Sequence, residues 1–317
     1  MLNVLETTKE ALSKLEHVKI DENGINSLLE TVELNELQVS EIDLSKYKWK
    51  KDQLLELTFL FNTINFCFWA MPNEKKWTIE DDSLDGAIAL FRSLENGLKK
   101  NSDLLSADEL SDMQLGTLRN LLAGNVTIPL LSERLQNINN FGKTVESKYG
   151  GSIKSLLDKA NYDAYALAEL LADNFECFDD VTTYKGIKIG FYKRAQLNSK
   201  MIHDILVSTG EKGLTNLDKL TAFADYKIPQ ILRNIGVLVF SKELAQKVDN
   251  YELIEVDSIY ENEIRISTIW AVESIMQELK KKYPEVTSSH VDNMLWLRSQ
   301  VKKETDKPYH RTITSAY

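Results

Sequence analysis

Apolar residues recur at intervals of three and four along almost the whole chain, and this regularity restricts the fold more than any other feature. Leu54, Leu57, Phe61, Ile64 and Phe68 form such a stripe behind Asp52. The spacing predicts a helix that Asp52 caps and that carries Asn65 one turn beyond Phe61. Ser83 to Lys100 reads as a second helix, and Ser106-Ala-Asp-Glu109 has the capping-box pattern that opens a third. Pro129 is placed to begin a helix through Leu130, Leu131, Leu135 and Ile138, and Ser152 to Ala172 reads as helix after the Gly150-Gly151 break. Thr215 or Asn216 is expected to cap a helix through Leu217, Leu220 and Phe223. Pro229 then restarts a helix that Gly236 ends. Ile266, Ile269, Val272, Met276 and Leu279 make the clearest stripe, and Ser288-Ser289 opens the last helix. Only five prolines and thirteen glycines interrupt this pattern, so the expected class is mainly α.

One segment departs from it. Val181 to Tyr184, Lys185-Gly186 and Ile187 to Ile189 read as a short β-hairpin around a glycine turn, and Trp77 to Ile79 as a second short strand. These are too little for a central sheet. No internal repeat, low-complexity linker or shift in composition divides the chain. A single compact domain over residues 1–317 is therefore expected, with a minor β element.

Charge narrows the partners. The formal net charge is −10, and an acidic surface repels a phosphate polymer, whose binding rests on many cationic contacts. No stable nucleic-acid complex is expected. Lys280, Lys281 and Lys282 sit where a helix ends, a favoured place for cations. A mononucleotide needs only one or two cations and stays within reach. The two cysteines and four histidines are scattered without metal-ligand spacing, so no metal is expected. No stretch approaches the ~18–20 apolar residues of a membrane span. Few cysteines and no signal-like apolar run point to the cytoplasm.

Nucleotide-loop, nucleophile-elbow and zinc-helix motifs are absent. What remains are polar residues in apolar settings. Asn65 stands among Phe59, Phe61, Phe66, Phe68 and Trp69. It either meets a polar ligand edge, with Phe66 or Trp69 as a stacking wall, or bonds neighbouring backbone in a core. Lys193 and Arg194 follow the hairpin and open a helix, where free N–H groups and two cations suit an anion; a solvated pair is the plainer alternative. Asp225 precedes the Pro229 helix and, if that helix starts at Pro229, has no capping task; a start a few residues earlier would restore one. Asp292 and Trp296, four apart, share one helix face, which suits a heterocycle with several donors as well as an ordinary surface helix.

Taken in order, these segments resemble a known family. Asn65-Phe-Cys-Phe-Trp69 is similar to the Asn-Phe-x-Phe-Trp signature of the queuosine salvage proteins, the queuosine 5′-phosphate N-glycosidases. Arg119-Asn120, Pro129-Leu130, Glu133-Arg134, Gly150-Gly151-Ser152, Phe191 to Gln196, Phe223-Ala-Asp-Tyr226, Pro229-Gln230, Asp292, Leu295-Trp296, Pro308, His310-Arg311 and Tyr317 follow in register over residues 50–317. The resemblance implies a fold like the helical DNA glycosylases and cofactor-free hydrolysis of the bond between queuine and ribose 5-phosphate. It makes Asp225 the catalytic carboxylate. It also implies that Asp292, with Asn293 beside it, receives the donors of the base, and that Phe223, Phe66 and Trp296 wall the pocket. Asn65 and Trp69 contribute from the first motif. Lys193 and Arg194 hold the 5′-phosphate, with His310 and Arg311 as second choices. Two features depart from the pattern: Leu297 stands where relatives often carry an acidic residue, and the first fifty residues match poorly. Two rival readings use the same residues, a queuine carrier without catalysis and a glycosidase for another modified nucleoside or nucleotide.

Overall fold

A computed structural model describes residues 1–38 and 49–317. It is mainly helical, and its strands pair only in two-stranded ribbons among the described residues. These residues gather into two compact units. One comprises 1–38, 180–196 and 216–313, the other 49–179, 197–215 and 314–317. Neither is a continuous stretch of sequence, so no linker marks them. No helix of the described residues is long and apolar enough to cross a membrane.

The first unit is built on the helix Ile259–Lys280, which buries Ile264, Ile266, Ile269, Val272 and Ile275. Val4–Leu12, Glu22–Leu29, Lys227–Asn234 and Ser288–Gln300 pack on it. Side-chain caps fix where several of these begin: Asn3 accepts the N–H of Glu6, Asp21 that of Gly24 and Ser258 that of Glu261. The strand Val18–Ile20 pairs antiparallel with Leu238–Phe240. The expected hairpin forms as Val181–Tyr184 and Ile187–Gly190, turned by Lys185 and Gly186, both left-handed at φ 47° and 82°.

The second unit packs Lys51–Thr63, Gly86–Lys100 and Ala107–Ser111 with Leu131–Tyr149 and Ala164–Asn174. Gly142 permits a close approach of backbone, since a Cβ there would lie 2.4 Å from the Ser111 nitrogen. Thr78–Ile79 pairs with Leu84–Asp85, close to the second expected strand.

Several helix boundaries differ from the sequence reading. The helix expected to run through Phe68 ends at Thr63, and Lys50, not Asp52, stands at its start. Pro129 lies before its helix, because Leu130 is left-handed at φ 53° and helix begins at Leu131. Residues 152–172 are broken into Lys154–Lys159 and Ala164–Asn174, with Asn161 and Tyr162 at positive φ between them. The helix expected through Phe223 shrinks to a single turn, Leu217–Lys219, and the chain beyond it is irregular. In the first and last of these, buried side chains from elsewhere take the backbone groups that a helix would have paired internally.

Candidate functional site

Asp225 lies in the first unit at the mouth of the helix Lys227–Asn234. Its Oδ1 accepts the N–H groups of Lys227 at 2.7 Å and Ile228 at 2.9 Å. The sequence reading left the carboxylate without a capping task if the helix began at Pro229, and with one if it began a few residues earlier. The start is two residues earlier, so Asp225 does hold the first helical donors. Pro229 still sits in the first turn, where a missing N–H costs nothing. Among the described residues no donor reaches Oδ2. The carboxylate is 8% exposed, with one oxygen fixing its orientation and the other left over.

The chain leading into Asp225 is held by side chains. Gln196 accepts the Thr221 N–H at 2.8 Å and donates to the Phe191 carbonyl at 2.9 Å. Asp292, buried on Ser288–Gln300, accepts the Phe223 N–H at 2.8 Å through Oδ2. Arg265 donates from Nε to the Ala224 carbonyl at 3.2 Å. A buried irregular segment outside any helix or sheet needs such partners for its backbone. Phe223 and Asn293 are buried in the same unit, and Trp296 is half-buried one turn from Asp292.

The helix Lys193–Ser208 begins beside Asp180, whose Oδ2 accepts the Lys193 N–H at 3.1 Å. That first helical donor, expected to be open to an anion, is thus occupied by a carboxylate. The side chains of Lys193 and Arg194 are both buried rather than solvated. Arg311 is packed between rings, 4.7 Å from the centroid of Tyr251 and 4.5 Å from that of Tyr309, and donates to the Tyr309 carbonyl. His310 is fully buried. Burial, and then the charges of Arg265 and Arg311, push its pKa down to about 3. At neutral pH it offers one N–H and no charge.

Asn65, Phe66 and Trp69 belong to the second unit. They lie beyond the end of the helix Lys51–Thr63 rather than on its face. The cause is Arg134, fully buried on Leu131–Tyr149. It donates to the carbonyls of Ile64, Phe66 (2.5 Å) and Cys67 (3.2 Å), and its guanidinium covers the Phe66 ring at 4.3 Å. Asn65 donates from Nδ2 to Asn62 Oδ1 at 3.4 Å. Asn62 itself donates to the Thr58 carbonyl, which fixes which way its amide faces. Asn65 therefore acts here as the donor.

Sequence reasoning passed over Arg265 and Asp180. Arg265 falls within the longest apolar stripe, and Asp180 precedes the hairpin as one acid among many. The only signal was a cation where the period demands an apolar residue.

Within the first unit, buried carboxylates (Asp225, Asp292) and buried cations (Lys193, Arg194) supply the kinds of group that a small, polar, anionic ligand requires. The comparisons narrow that class. The sequence matches the queuosine salvage protein family over residues 45–317. A Sphaerobacter thermophilus protein named queuosine 5′-phosphate N-glycosylase/hydrolase is 30% identical over 320 residues, covering 100% of this chain and 98% of its own. Proteins of the same name from Dictyostelium discoideum and Bos taurus are each 31% identical. The first covers 99% of this chain and 98% of itself, the second 80% and 79%. The chain belongs to the queuosine salvage protein family. The first two relatives also span the N-terminal segment that by sequence inspection matched poorly.

Proposed function

We propose that this protein hydrolyses the N-glycosidic bond of queuosine 5′-phosphate, releasing queuine and ribose 5-phosphate for reuse of the base in tRNA. The observation that carries the reading is Asp225, a buried carboxylate with one oxygen fixed by two helix N–H groups and the other uncommitted. Breaking the bond builds oxocarbenium character at the sugar carbon. The uncommitted oxygen stabilises that charge and orients or deprotonates the attacking water. The leaving group is a 7-deazaguanine and lacks the N7 that an acid would protonate in guanine, so the departing base must be steadied at its pyrimidine edge. Asp292, with Asn293 beside it, supplies acceptors there, and Phe223 and Trp296 supply walls. Lys193 and Arg194 hold the 5′-phosphate. Arg311 and the neutral His310 fit a supporting part better than that of principal phosphate ligands, given what surrounds them.

A single nucleotide agrees with the net charge of −10, which disfavours a polymer, and with the names of the relatives. The few cysteines fit a reducing compartment such as the cytoplasm. The test is incubation with queuosine 5′-phosphate and detection of free queuine by mass spectrometry, for the native protein and for Asp225→Asn. The asparagine keeps an oxygen for the two helix N–H groups, so folding and queuine binding persist. Hydrolysis falls by about a hundredfold or more. Normal turnover by the variant would sink the assignment of Asp225. Queuine binding without any turnover by the native protein would identify a carrier instead.

A further inference from the structure

Arg265 and Asp180 form a bidentate pair at 2.9 and 2.6 Å, with Arg265 only 3% exposed. Each partner also holds backbone. Arg265 Nε takes the Ala224 carbonyl, one peptide before Asp225. Asp180 Oδ2 takes the Lys193 N–H, and the Asp180 carbonyl accepts the N–H of Phe191 at 2.9 Å. The Phe191 ring lies 3.9 Å from the guanidinium and fixes its plane. One ion pair thus joins the segment bearing the carboxylate to the segment bearing the two cations, all within one unit.

A buried ion pair is a poor device for stability, because desolvation offsets most of the attraction and an apolar replacement of equal volume serves as well. What it does supply is fixed geometry, since a planar fork against a carboxylate admits one arrangement. We propose that Arg265 and Asp180 are positioning residues that set the spacing between Asp225 and the Lys193-Arg194 phosphate grip. This rests on the function proposed above. Ribose 5-phosphate spans the same two points, with the scissile carbon at one end and the phosphate at the other. A fixed span lets binding of the phosphate align the sugar carbon with the carboxylate, so that phosphate binding appears as rate.

The readout is therefore the advantage of the nucleotide over the nucleoside, not activity alone. Steady-state kinetics on queuosine 5′-phosphate and on queuosine would be compared for the native protein, Arg265→Lys and Asp180→Asn. Arg265→Lys keeps the charge and loses the fork and the Nε–H. Asp180→Asn keeps an acceptor of the same shape. The ratio of kcat/KM for nucleotide over nucleoside is expected to fall by about tenfold or more in both, mainly through kcat on the nucleotide. A ratio within about twofold of native, whatever the absolute loss, would mean a purely structural pair and overturn the proposal. So would failure of both variants to fold. A native protein that releases queuine from neither substrate would bring down the underlying function, and this inference with it.

Discussion

Several residues that sequence alone marks as functional also have a structural task. Asp225 caps a helix, Asp292 holds the Phe223 N–H and Arg311 fills a slot between two tyrosines. A variant chosen to probe function must therefore keep the structural bond, which is why asparagine, not alanine, suits position 225. Lys193→Ala and Arg194→Ala are expected to raise KM for queuosine 5′-phosphate by about ten- to a hundredfold, with each lost charge-assisted contact contributing about 1.5–3 kcal/mol. Turnover of queuosine should change little, and equal effects on the two substrates would remove the phosphate role. His310 gives a pH prediction. Its folded pKa of about 3 lies below the 6.5 of a free histidine, so between those values the unfolded chain holds a proton that the folded protein lacks. Stability is fully present above pH 6.5 and is lost as pH falls, by up to about 1.4 kcal/mol per pH unit from this group. His310→Gln should flatten the decline in urea midpoint between pH 7 and pH 5. An unchanged decline would show that other groups dominate.

At the scale of elements, the helices were legible and their ends were not. The long stripe of Ile259–Lys280 and the caps at Ser106 and Gly236 follow from local period and local chemistry. The segments 64–69 and 220–224 read as helix because their apolar spacing continues, and both are irregular. Carbonyls of 64–67 go to Arg134, and backbone groups of 221–224 go to Gln196, Asp292 and Arg265. None of these donors or acceptors is near in sequence, so no window of residues could have announced them. Arg134→Met keeps much of the volume and strips three buried carbonyls of their donor. It should lower the unfolding free energy by about 3 kcal/mol in urea titration. A loss under about 1 kcal/mol would mean that water or other side chains satisfy those carbonyls.

At the scale of the molecule, the N-terminal segment proves integral to the first unit. Glu263, fully buried on the long helix, accepts the N–H groups of Glu16 at 2.9 Å, His17 at 2.5 Å and Val18 at 3.2 Å. It also accepts the Tyr184 hydroxyl at 2.8 Å. One carboxylate thereby fastens the start of Val18–Ile20 and the β-hairpin to the central helix. Glu263→Ala leaves the three N–H groups and the Tyr184 hydroxyl without this acceptor and opens a void, with an expected loss of about 3–5 kcal/mol by denaturant unfolding. A loss below about 1 kcal/mol would show that the segment is held by its apolar contacts alone.

By itself the sequence determined the mainly helical class, the hairpin, the acidic surface that disfavours polymeric nucleic acid, and the family. All of these depend on local period, composition or ordered motifs. The tertiary structure alone decided where helices stop, that Asp225 caps one of them, and that Arg265 and Asp180 stand behind it. It also assigned Asn65, Phe66 and Trp69 to a different unit from Asp225. The physical reason is common to these cases. Buried backbone must find partners, and here long side chains from distant positions provide them.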